Sequence, residues 1–264
     1  MQTRIAAVTA PGGEAPNEDY YLASDAWWVV LDGITRYPDD GCVHDVPWYV
    51  RRLGAAIASR IEDGDLGLRA VLKQAIGVVA DHHRDTCDLA NPVTPGATVA
   101  IARLAGERIE WLVLGDSAVA WRSGDGRTHA WTDERLSRLA SPPRAEDVGG
   151  IRRLPIRYIA EVRNRPEGFW VASSEPEAAE AAFSGSIDTV EAEELMLCTD
   201  GITRLVERFG HQWGRLFRVA SEAGVSALVS LVREEEREDP ATQSGGKPHD
   251  DATALFISLG TGRR

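Results

Sequence analysis

Aspartates stand at three places where an apolar run meets a turn. They are Asp32, Asp200 and Asp250, and the first two are followed directly by glycine. Oxygen atoms are the ligands that hard divalent cations require, and Mg²⁺ or Mn²⁺ is typically held by a few carboxylates with several retained waters. Without a cation, converging carboxylates repel one another and raise their own pKa values. If these side chains converge, we therefore expect a divalent metal site.

Each of these aspartates, taken alone, has a simpler interpretation. Asp-Gly is among the commonest turn dipeptides, so a single occurrence marks the end of a strand more often than it marks a ligand. Asp116, in the turn Gly115-Asp116-Ser117, is as well explained by capping of backbone amides as by metal binding. Order and context along the chain must decide between these readings.

Runs of strand-forming and helix-forming residues indicate the elements that position these aspartates. Apolar runs bounded by turn residues predict strands at residues 6–8, 20–31 with a hairpin tip at 24–25, 97–104, 108–114, 118–122, 169–172, 195–198 and 253–259. Apolar residues at helical spacing predict helices at residues 48–61, 66–90, 175–184, 202–208, 213–223 and 225–236. The three runs from 97 to 122 predict an antiparallel meander, and residues 141–150 predict a loop. The aspartates thus fall at the ends of strands.

Composition restricts the class of protein. The chain has 264 residues, 29 basic and 41 acidic, for a net charge of -12. That balance argues against a nucleic-acid or anionic-membrane surface, which needs clustered Lys and Arg. No run approaches the ~18 apolar residues of a membrane span, and the first residues do not resemble a leader. We expect one domain over residues 1–264, located in the cytoplasm.

The cysteines offer no sequence signal of a disulfide framework or a zinc site. Cys42, Cys87 and Cys198 are odd in number, widely spaced and form no CxxC pair. They are predicted to be buried thiols, and none lies in a motif typical of a phosphate-binding nucleophile.

The order of the short motifs carries more information than any one of them. Along nearly the whole chain the motifs are Asn17-Glu18-Asp19, Asp32-Gly33, Gly96-Ala97-Thr98, Leu114-Gly115-Asp116-Ser117, Cys198-Thr199-Asp200-Gly201 and Asp250-Asp251-Ala252-Thr253. This ordered series resembles that of the metal-dependent protein phosphatases of type 2C, in a divergent form of the bacterial type. An ordered series is a specific signal although its parts are weak.

The resemblance implies a fold, a metal centre and a role for each matching residue. The implied fold is α+β, a four-layer α-β-β-α sandwich of two antiparallel sheets flanked by helices. Two Mg²⁺ or Mn²⁺ ions, or three, would bind at one end: Asp32 would bridge two ions, the Gly33 carbonyl would bind one, and Asp200 and Asp250 would bind the other. Further roles fall to Asp19 and Glu18, which would orient metal-bound water, and to Asp116, which would help to hold a third ion.

The chain departs from the family pattern at two functional positions, the arginine that binds the substrate phosphate and the general acid. Glu14 occupies the position of the usual phosphate-binding arginine, and Arg36 is a candidate to replace it, although a solvated loop residue is the simpler reading. No family general acid is present; His44 is near in sequence and is a candidate proton donor, although a lone histidine is more often a surface or packing residue. His249 adjoins Asp250 and would tune this ligand or simply start the strand. Residues 133–168 resemble the family pattern poorly, so substrate recognition is expected to differ there.

Three functions follow from this resemblance. The first is hydrolysis of phosphoserine or phosphothreonine monoesters by a water that the dinuclear centre activates, the substrate being a phosphorylated protein of a serine/threonine kinase system. The second is a regulatory binding module with little or no turnover, which the glutamate in place of arginine would explain. The third is hydrolysis of a small phosphorylated metabolite.

Overall fold

The structure is a computed structural model that describes residues 3–148, 151–239 and 249–260. Its strands are β1 (Thr3–Ala10), β2 (Asp19–Ala23), β3 (Trp27–Gly33), β4 (Ala97–Ala105), β5 (Arg108–Leu114), β6 (Ala118–Arg122), β7 (Thr128–Thr132), β8 (Glu146–Val148), β9 (Ile151–Arg153), β10 (Phe183–Asp188), β11 (Glu194–Cys198) and β12 (Ala252–Leu259). Its α-helices are α1 (Val46–Ile61), α2 (Leu68–His83), α3 (Ile156–Val162), α4 (Asp200–Glu207), α5 (Trp213–Ala223) and α6 (Ser226–Glu238).

The strands form two five-stranded antiparallel sheets and one small hairpin. The first sheet has the order β1-β12-β11-β6-β7 and the second has the order β10-β5-β4-β3-β2, while β8 pairs with β9 alone. Alternating side chains of each strand point to opposite faces, so each sheet has two apolar faces to cover. Both sheets therefore need a layer on each side.

Three separate apolar clusters fill the spaces between four layers. Trp28 and Val30 of the second sheet meet Leu195 and Leu255 of the first sheet in the central cluster. The outer face of the second sheet packs against α1 and α2, and that of the first sheet packs against α4, α5 and α6. The predicted α-β-β-α sandwich of two antiparallel sheets is confirmed.

Several predicted elements differ from the observed ones. The run 118–122 does not continue a meander: β6 pairs with β11 and β7 in the first sheet, whereas β4 and β5 belong to the second. Gly115 has a φ of 79°, and this left-handed turn carries the chain from one sheet to the other. The predicted strand 169–172 forms only isolated bridges, Ala97 with Ala172 and Arg163 with Phe169.

Two predicted helices are also revised. The segment 175–184 forms a 3-10 helix at Pro176–Ala181, after which β10 begins, because residues from Phe183 onward pair with β5. Helix α2 ends at His83 rather than near residue 90, and Cys87 lies in a turn beyond it. No helix among the described residues is long and apolar enough to cross a membrane.

Candidate metal centre

The two sheets each bring aspartates to the same end of the sandwich. Asp19 begins β2 and is the direct cross-strand partner of Asp32 in β3, in the second sheet. Asp200 begins α4 immediately after β11, and Asp250 lies two residues before β12, both strands being part of the first sheet. The centre is therefore assembled from residues that are more than 200 positions apart.

Close backbone approach explains the glycine after two of these aspartates. A Cβ at Gly201 would clash with the carbonyl oxygen of Asp251, and a Cβ at Gly33 would clash with Val46 and with the carbonyl oxygen of Glu18. Gly33 N donates a hydrogen bond to that same Glu18 oxygen at 3.2 Å. The two Asp-Gly pairs are therefore more than turns, since each glycine lets one motif segment pack against another.

Asp19 is held by hydroxyl groups from the first sheet. The Thr199 hydroxyl donates to Asp19 Oδ2 at 2.9 Å, and Thr253 N donates to Thr199 Oγ1 at 3.0 Å. Asp19 is 6% exposed, and its Oδ1 is buried without a hydrogen-bond partner among the described residues. Burial raises the pKa of Asp19 to about 8, against the lowering effect of hydrogen bonds from Thr253 and Thr199. Such a carboxylate lacks the charge partner that burial of an anion requires.

Asp32 receives the combined repulsion of the other aspartates. Burial raises its pKa well above the ordinary value, and the nearby charges of Asp200, Asp19, Asp116 and Asp250 raise it further. All four of these side chains were predicted to belong to the metal centre. Each raises the pKa of Asp32, the residue that was predicted to bridge two ions. The convergence that the metal hypothesis requires is thus present in the fold.

Asp116 sits on the turn that switches the chain between sheets. Burial raises its pKa to about 6, and the charges of Glu207, Asp133 and Asp250 add to the effect. The turn is fixed beside it by a 2.6 Å hydrogen bond between the buried hydroxyl groups of Thr98 and Ser117. The backbone-capping role and the metal role considered for Asp116 are therefore compatible with its position.

Asp250 is linked to a buried ionic network. Arg204 in α4 donates to Asp250 Oδ2 and, at 2.9 Å, to Glu236 Oε1. Glu236 is fully buried and also accepts from Arg233 at 2.8 Å and contacts His249 Nδ1 at 2.7 Å. The network holds the loop that carries Asp250 against α4 and α6.

Asp251, which follows it, fixes the N-terminal loop. Its two carboxylate oxygens accept hydrogen bonds from Gly12 N and Glu18 N, each at 2.7 Å. Glu18 Oε2 in turn accepts from the Thr35 hydroxyl at 2.7 Å. Glu18, expected beside the ions, is thus joined to the loop after Asp32.

A cavity of about 320 Å³ opens at this end of the sandwich. Asp32, Gly33, Asp116, Asp200 and Asp250 line its floor. Its opposite wall is apolar and comes from the segment 133–171, with side chains that include Leu136, Leu154, Ile159, Phe169 and Val171. The cavity therefore joins an acidic floor to an apolar wall.

The donor set fits hard divalent cations. It consists of carboxylates with raised pKa values, a partnerless buried oxygen on Asp19 and a backbone carbonyl at Gly33. Among the described residues, no three carboxylates bring oxygens all within 4.8 Å of one another. Mg²⁺ keeps several waters and takes only one or two carboxylates, so a closer group of three carboxylates is not required of such a site.

The arginine proposed for phosphate is engaged elsewhere. Arg36 donates to both oxygens of Asp40, at 2.6 and 2.7 Å, and to the Cys42 carbonyl at 2.6 Å. It lines a neighbouring cavity together with Glu14 and Glu18 rather than the cavity that contains Asp32. The role of Arg36 in phosphate binding stays a prediction, and Glu14 lies exposed in the same loop region.

A second arginine does line the cavity. Arg163 follows α3 and is 8% exposed, and the one hydrogen bond of its side chain among the described residues is a weak one of 3.3 Å from Nη1 to the Pro92 carbonyl oxygen. Its Nη2 is buried without a partner, and within the described residues it forms no ion pair. Burial lowers its pKa to about 10, so the guanidinium stays charged at neutral pH. A buried cation without an anion next to an acidic floor is suited to an anionic ligand.

The two candidate histidines, His44 as an acid and His249 as a neighbour of Asp250, do not line the cavity. His44 stacks on Trp48, with ring centroids 3.9 Å apart, and His249 contacts Glu236. Sequence reasoning missed Arg163, Arg204, Asp251 and the hydroxyl of Thr199. Asp251 and Thr199 stood inside recognised motifs, whereas the two arginines are brought to the site only by tertiary packing.

Comparison with known proteins identifies a family and related folds. The family model of protein phosphatase 2C matches residues 12–233. Among solved structures, the serine/threonine phosphatase PstP/Ppp of Mycobacterium tuberculosis has 18% identity and a TM-score of 0.63, with 99% of this chain and 100% of that chain covered. PppA, a regulatory component of the type VI secretion system in Pseudomonas aeruginosa, has 20% identity and a TM-score of 0.63, with 98% and 99% covered.

A third structure contains metal. The catalytic domain of PstP in complex with two manganese ions has 19% identity and a TM-score of 0.60, with 97% of this chain and 98% of that chain covered. No curated protein sequence matches the chain. The extent of the family match shows that the chain belongs to the protein phosphatase 2C family.

Proposed function

We propose that the chain is a Mg²⁺- or Mn²⁺-dependent phosphatase that hydrolyses phosphoserine and phosphothreonine in proteins. The observation that carries the proposal is the convergence of Asp19, Asp32, Asp200 and Asp250 from both sheets, with raised pKa values on Asp19 and Asp32. Membership of the family supports the same reaction. A manganese-bound structural relative supports the choice of ions.

The proposed ligands follow from the floor of the cavity. Asp32, the Gly33 carbonyl, Asp200 and Asp250 would together hold the ions, and the resemblance to the family gives Asp32 the central place among them. When bound, the two cations would lower the pKa of a water and stabilise charge on the attacking and leaving oxygens.

The surrounding residues have supporting roles in this proposal. Thr199 holds Asp19 through its hydroxyl, a hydrogen bond from Thr253 also favours the charged form of Asp19, and Glu18 acts from the adjoining loop. Asp116 would help to hold a third ion. Arg163 is our preferred group for the substrate phosphate, because its Nη2 is unsatisfied within the described residues and its charge lies at the cavity.

The apolar wall favours a protein substrate over a small metabolite. Residues such as Leu154, Ile159 and Phe169 can bury the neighbouring side chains of a phosphorylated peptide, whereas a small polar metabolite leaves them exposed. A panel of phosphopeptides and phosphorylated metabolites, compared by kcat/KM, separates the two substrates. Faster turnover of the metabolites would remove the protein-substrate part of the proposal.

The central experiment is hydrolysis of a chromogenic phosphate monoester with Mn²⁺ and with a chelator. We expect hydrolysis only with the metal, and a loss in Asp200→Asn of at least about 100-fold, because a group that positions the charge-stabilising ions is removed. Asp65→Asn, at an exposed site in the loop between α1 and α2, is the matched control. Metal-independent hydrolysis, or full activity in Asp200→Asn, would contradict the mechanism.

A regulatory binding module with little turnover is the second candidate. The observation that favours it is the exposed Glu14, a negative charge at the family position of the phosphate-binding arginine. If this charge limits activity, Glu14→Arg should raise phosphate affinity and turnover. If Glu14→Arg changes neither quantity, this glutamate is not what limits activity, and the observation that favours the binding module loses its force.

A further inference from the structure

A cluster of sulfur and imidazole ligands lies apart from the aspartates. The structure joins Cys42 and Cys87 in a disulfide, so the prediction that both are free thiols is wrong, whereas Cys198 is a buried free thiol as predicted. The two cysteines are 45 positions apart, and only the packing of the loop before α1 against the end of α2 brings them together. His83, the last residue of α2, completes the cluster.

The three side chains are arranged as ligands of one cation. One ligand atom from each of Cys42, His83 and Cys87 lies within 4.8 Å of the other two, and this is the only such group of three among the described residues. His83 Nδ1 is 3.5 Å from the Cys42 sulfur. Two sulfurs and one imidazole nitrogen form a donor set that binds Zn²⁺ in preference to Mg²⁺ or Mn²⁺.

The ring of His83 packs beside Trp48 and Tyr49, but its two nitrogens lack ordinary hydrogen-bond partners among the described residues. It is 1% exposed, its Nε2 has no hydrogen-bond partner among the described residues, and the sulfur is the sole partner of Nδ1. A buried imidazole without a nitrogen or oxygen partner is costly unless something else uses its lone pair. Burial, together with the neighbouring His44 and His82, lowers the pKa of His83, which keeps it in the neutral form that binds metals.

The backbone fixes the ligands before any ion arrives. Cys87 N donates to the His83 carbonyl oxygen at 2.9 Å, which sets the position of Cys87 one turn after His83. Asp88 N donates to the Gly41 carbonyl oxygen at 2.8 Å, which ties this turn to the loop that carries Cys42. The cluster is therefore held by two independent segments, and the removal of one sulfur need not unfold it.

We propose that Cys42, His83 and Cys87 form a second metal site, which binds Zn²⁺ when the two cysteines are reduced and releases it when they form the disulfide. Hydrogen peroxide can drive the release. Two thiolates give up two electrons and form the sulfur–sulfur bond, the peroxide oxygen–oxygen bond breaks, and two protons from solvent complete two water molecules while the cation leaves. Water or His44, whose ring centroid is 6.2 Å from that of His83, supplies the fourth ligand.

The state of this site bears on the loop that follows Asp32. Cys42 N donates to Asp40 at 3.0 Å, and its carbonyl oxygen accepts from Arg36 at 2.6 Å. The exchange of a metal for a disulfide therefore acts on the segment that joins the acidic floor to α1.

Cobalt(II) tests the proposal, because a thiolate–cobalt charge-transfer band arises from sulfur ligands and not from the aspartates. The whole chain is reduced with a phosphine, excess Mg²⁺ is added to occupy the carboxylates, and Co²⁺ is titrated. We expect the band at one cobalt per chain, its loss on addition of Zn²⁺, and release of one Zn²⁺ on peroxide treatment. Cys87→Ser should lower Zn²⁺ affinity at least about 100-fold, more than the loss of a group that only supports a ligand.

Cys198→Ala is the matched control, because it removes the remaining thiol, which is buried among apolar residues. Circular dichroism establishes that each variant is folded, and Cys42→Ser and His83→Gln provide second tests if Cys87→Ser is not. A reduced, folded wild type without the band overturns the proposal. So does a band that survives in Cys87→Ser, or a disulfide that cannot be reduced in the folded protein, since the pair is then a permanent crosslink.

Discussion

The hydroxyl of Thr199 donates a hydrogen bond of 2.9 Å to the carboxylate of Asp19, 180 positions earlier in the chain. It joins the end of β11 in the first sheet to the start of β2 in the second. The bond favours the charged form of a carboxylate whose pKa is raised by burial, and so it opposes part of that increase. Thr199 thus makes Asp19 a better anion beside Asp32, its partner on the neighbouring strand.

Thr199→Val should therefore weaken the enzyme without unfolding it. Loss of a hydrogen bond to a charged group costs about 1.5–3 kcal/mol, so we expect kcat/KM with Mn²⁺ at neutral pH to fall about 10- to 100-fold. Part of the loss should return at higher pH, where Asp19 ionises without help. Thr94→Val is the control, because Thr94 is equally buried but its hydroxyl has no partner among the described residues. Equal effects of the two substitutions would contradict the assigned role.

The metal-free protein should be more stable in acid than at neutral pH. Asp19 has an ordinary pKa near 3.8 and a folded pKa of about 8, so between these values the folded chain holds a proton that the unfolded chain has lost. Stability from this group is complete below about pH 4 and is lost as the pH rises to about 8. We expect Tm in chelator to fall over that range.

Two additions check the assignment of this pH dependence. Mn²⁺ should flatten the profile at its upper end, because the cation stabilises the charged carboxylates. Asp19→Asn should flatten it in chelator, although the raised pKa values of Asp32 and Asp116 will leave a residual slope in the same direction. A Tm that rises with pH in chelator would be inconsistent with buried, mutually repelling aspartates.

The two candidate arginines can be separated by kinetics. Arg163→Met removes an unsatisfied cation from the cavity, so KM for a phosphopeptide and the Ki for inorganic phosphate should rise about 10-fold or more, in line with the strength of a charge-assisted hydrogen bond. Arg163→Lys should recover part of the loss. Arg36→Met breaks the pair with Asp40 and should affect both constants much less. The reverse ranking would restore Arg36 as the phosphate ligand.

Glu236 should be among the most sensitive positions for stability. It is fully buried and is shared by Arg204, Arg233 and His249. Because Glu236→Gln leaves these groups without their common anion, we expect the free energy of unfolding to drop by about 3–5 kcal/mol in urea titrations. Glu238→Gln, at an exposed site one half-turn further along α6, should change it by less than about 0.5 kcal/mol.

The sequence predicts correctly those helices and hairpins whose apolar spacing or turn residues are clear within the segment itself. Helix α5 begins and ends as the helical spacing indicates, at Trp213 and Ala223, and the hairpin of β2 and β3 turns where Ser24 and Asp25 stand. Strand β10 was missed because the segment Phe183–Asp188 follows a short 3-10 helix and is rich in small residues. Its pairing with β5, 70 or more positions away, is what makes it a strand.

Some residues of the site can be predicted from short sequence motifs, whereas others are brought together only by tertiary packing. Asp32, Asp200 and Asp250 were recognisable because each lies in a short motif, and the motif order implied their meeting. Arg163 could not be recognised from the sequence, because its suitability for phosphate depends on the lack of an ion-pair partner among the described residues, which only the fold reveals. The Cys42–Cys87 pair likewise depends on how a loop and a helix end pack, and spacing alone carries no such information.

The division of the acidic floor between two sheets has a consequence for newly made chains. Neither half of the sandwich holds a complete set of aspartates, so a chain in which only one sheet has formed has no competent centre. If the proposed activity is correct, turnover itself reports that the two halves have docked. Ion binding would then join the two sheets only after both have formed. Depletion of divalent ions would weaken the contact between the sheets first at the end that carries the aspartates.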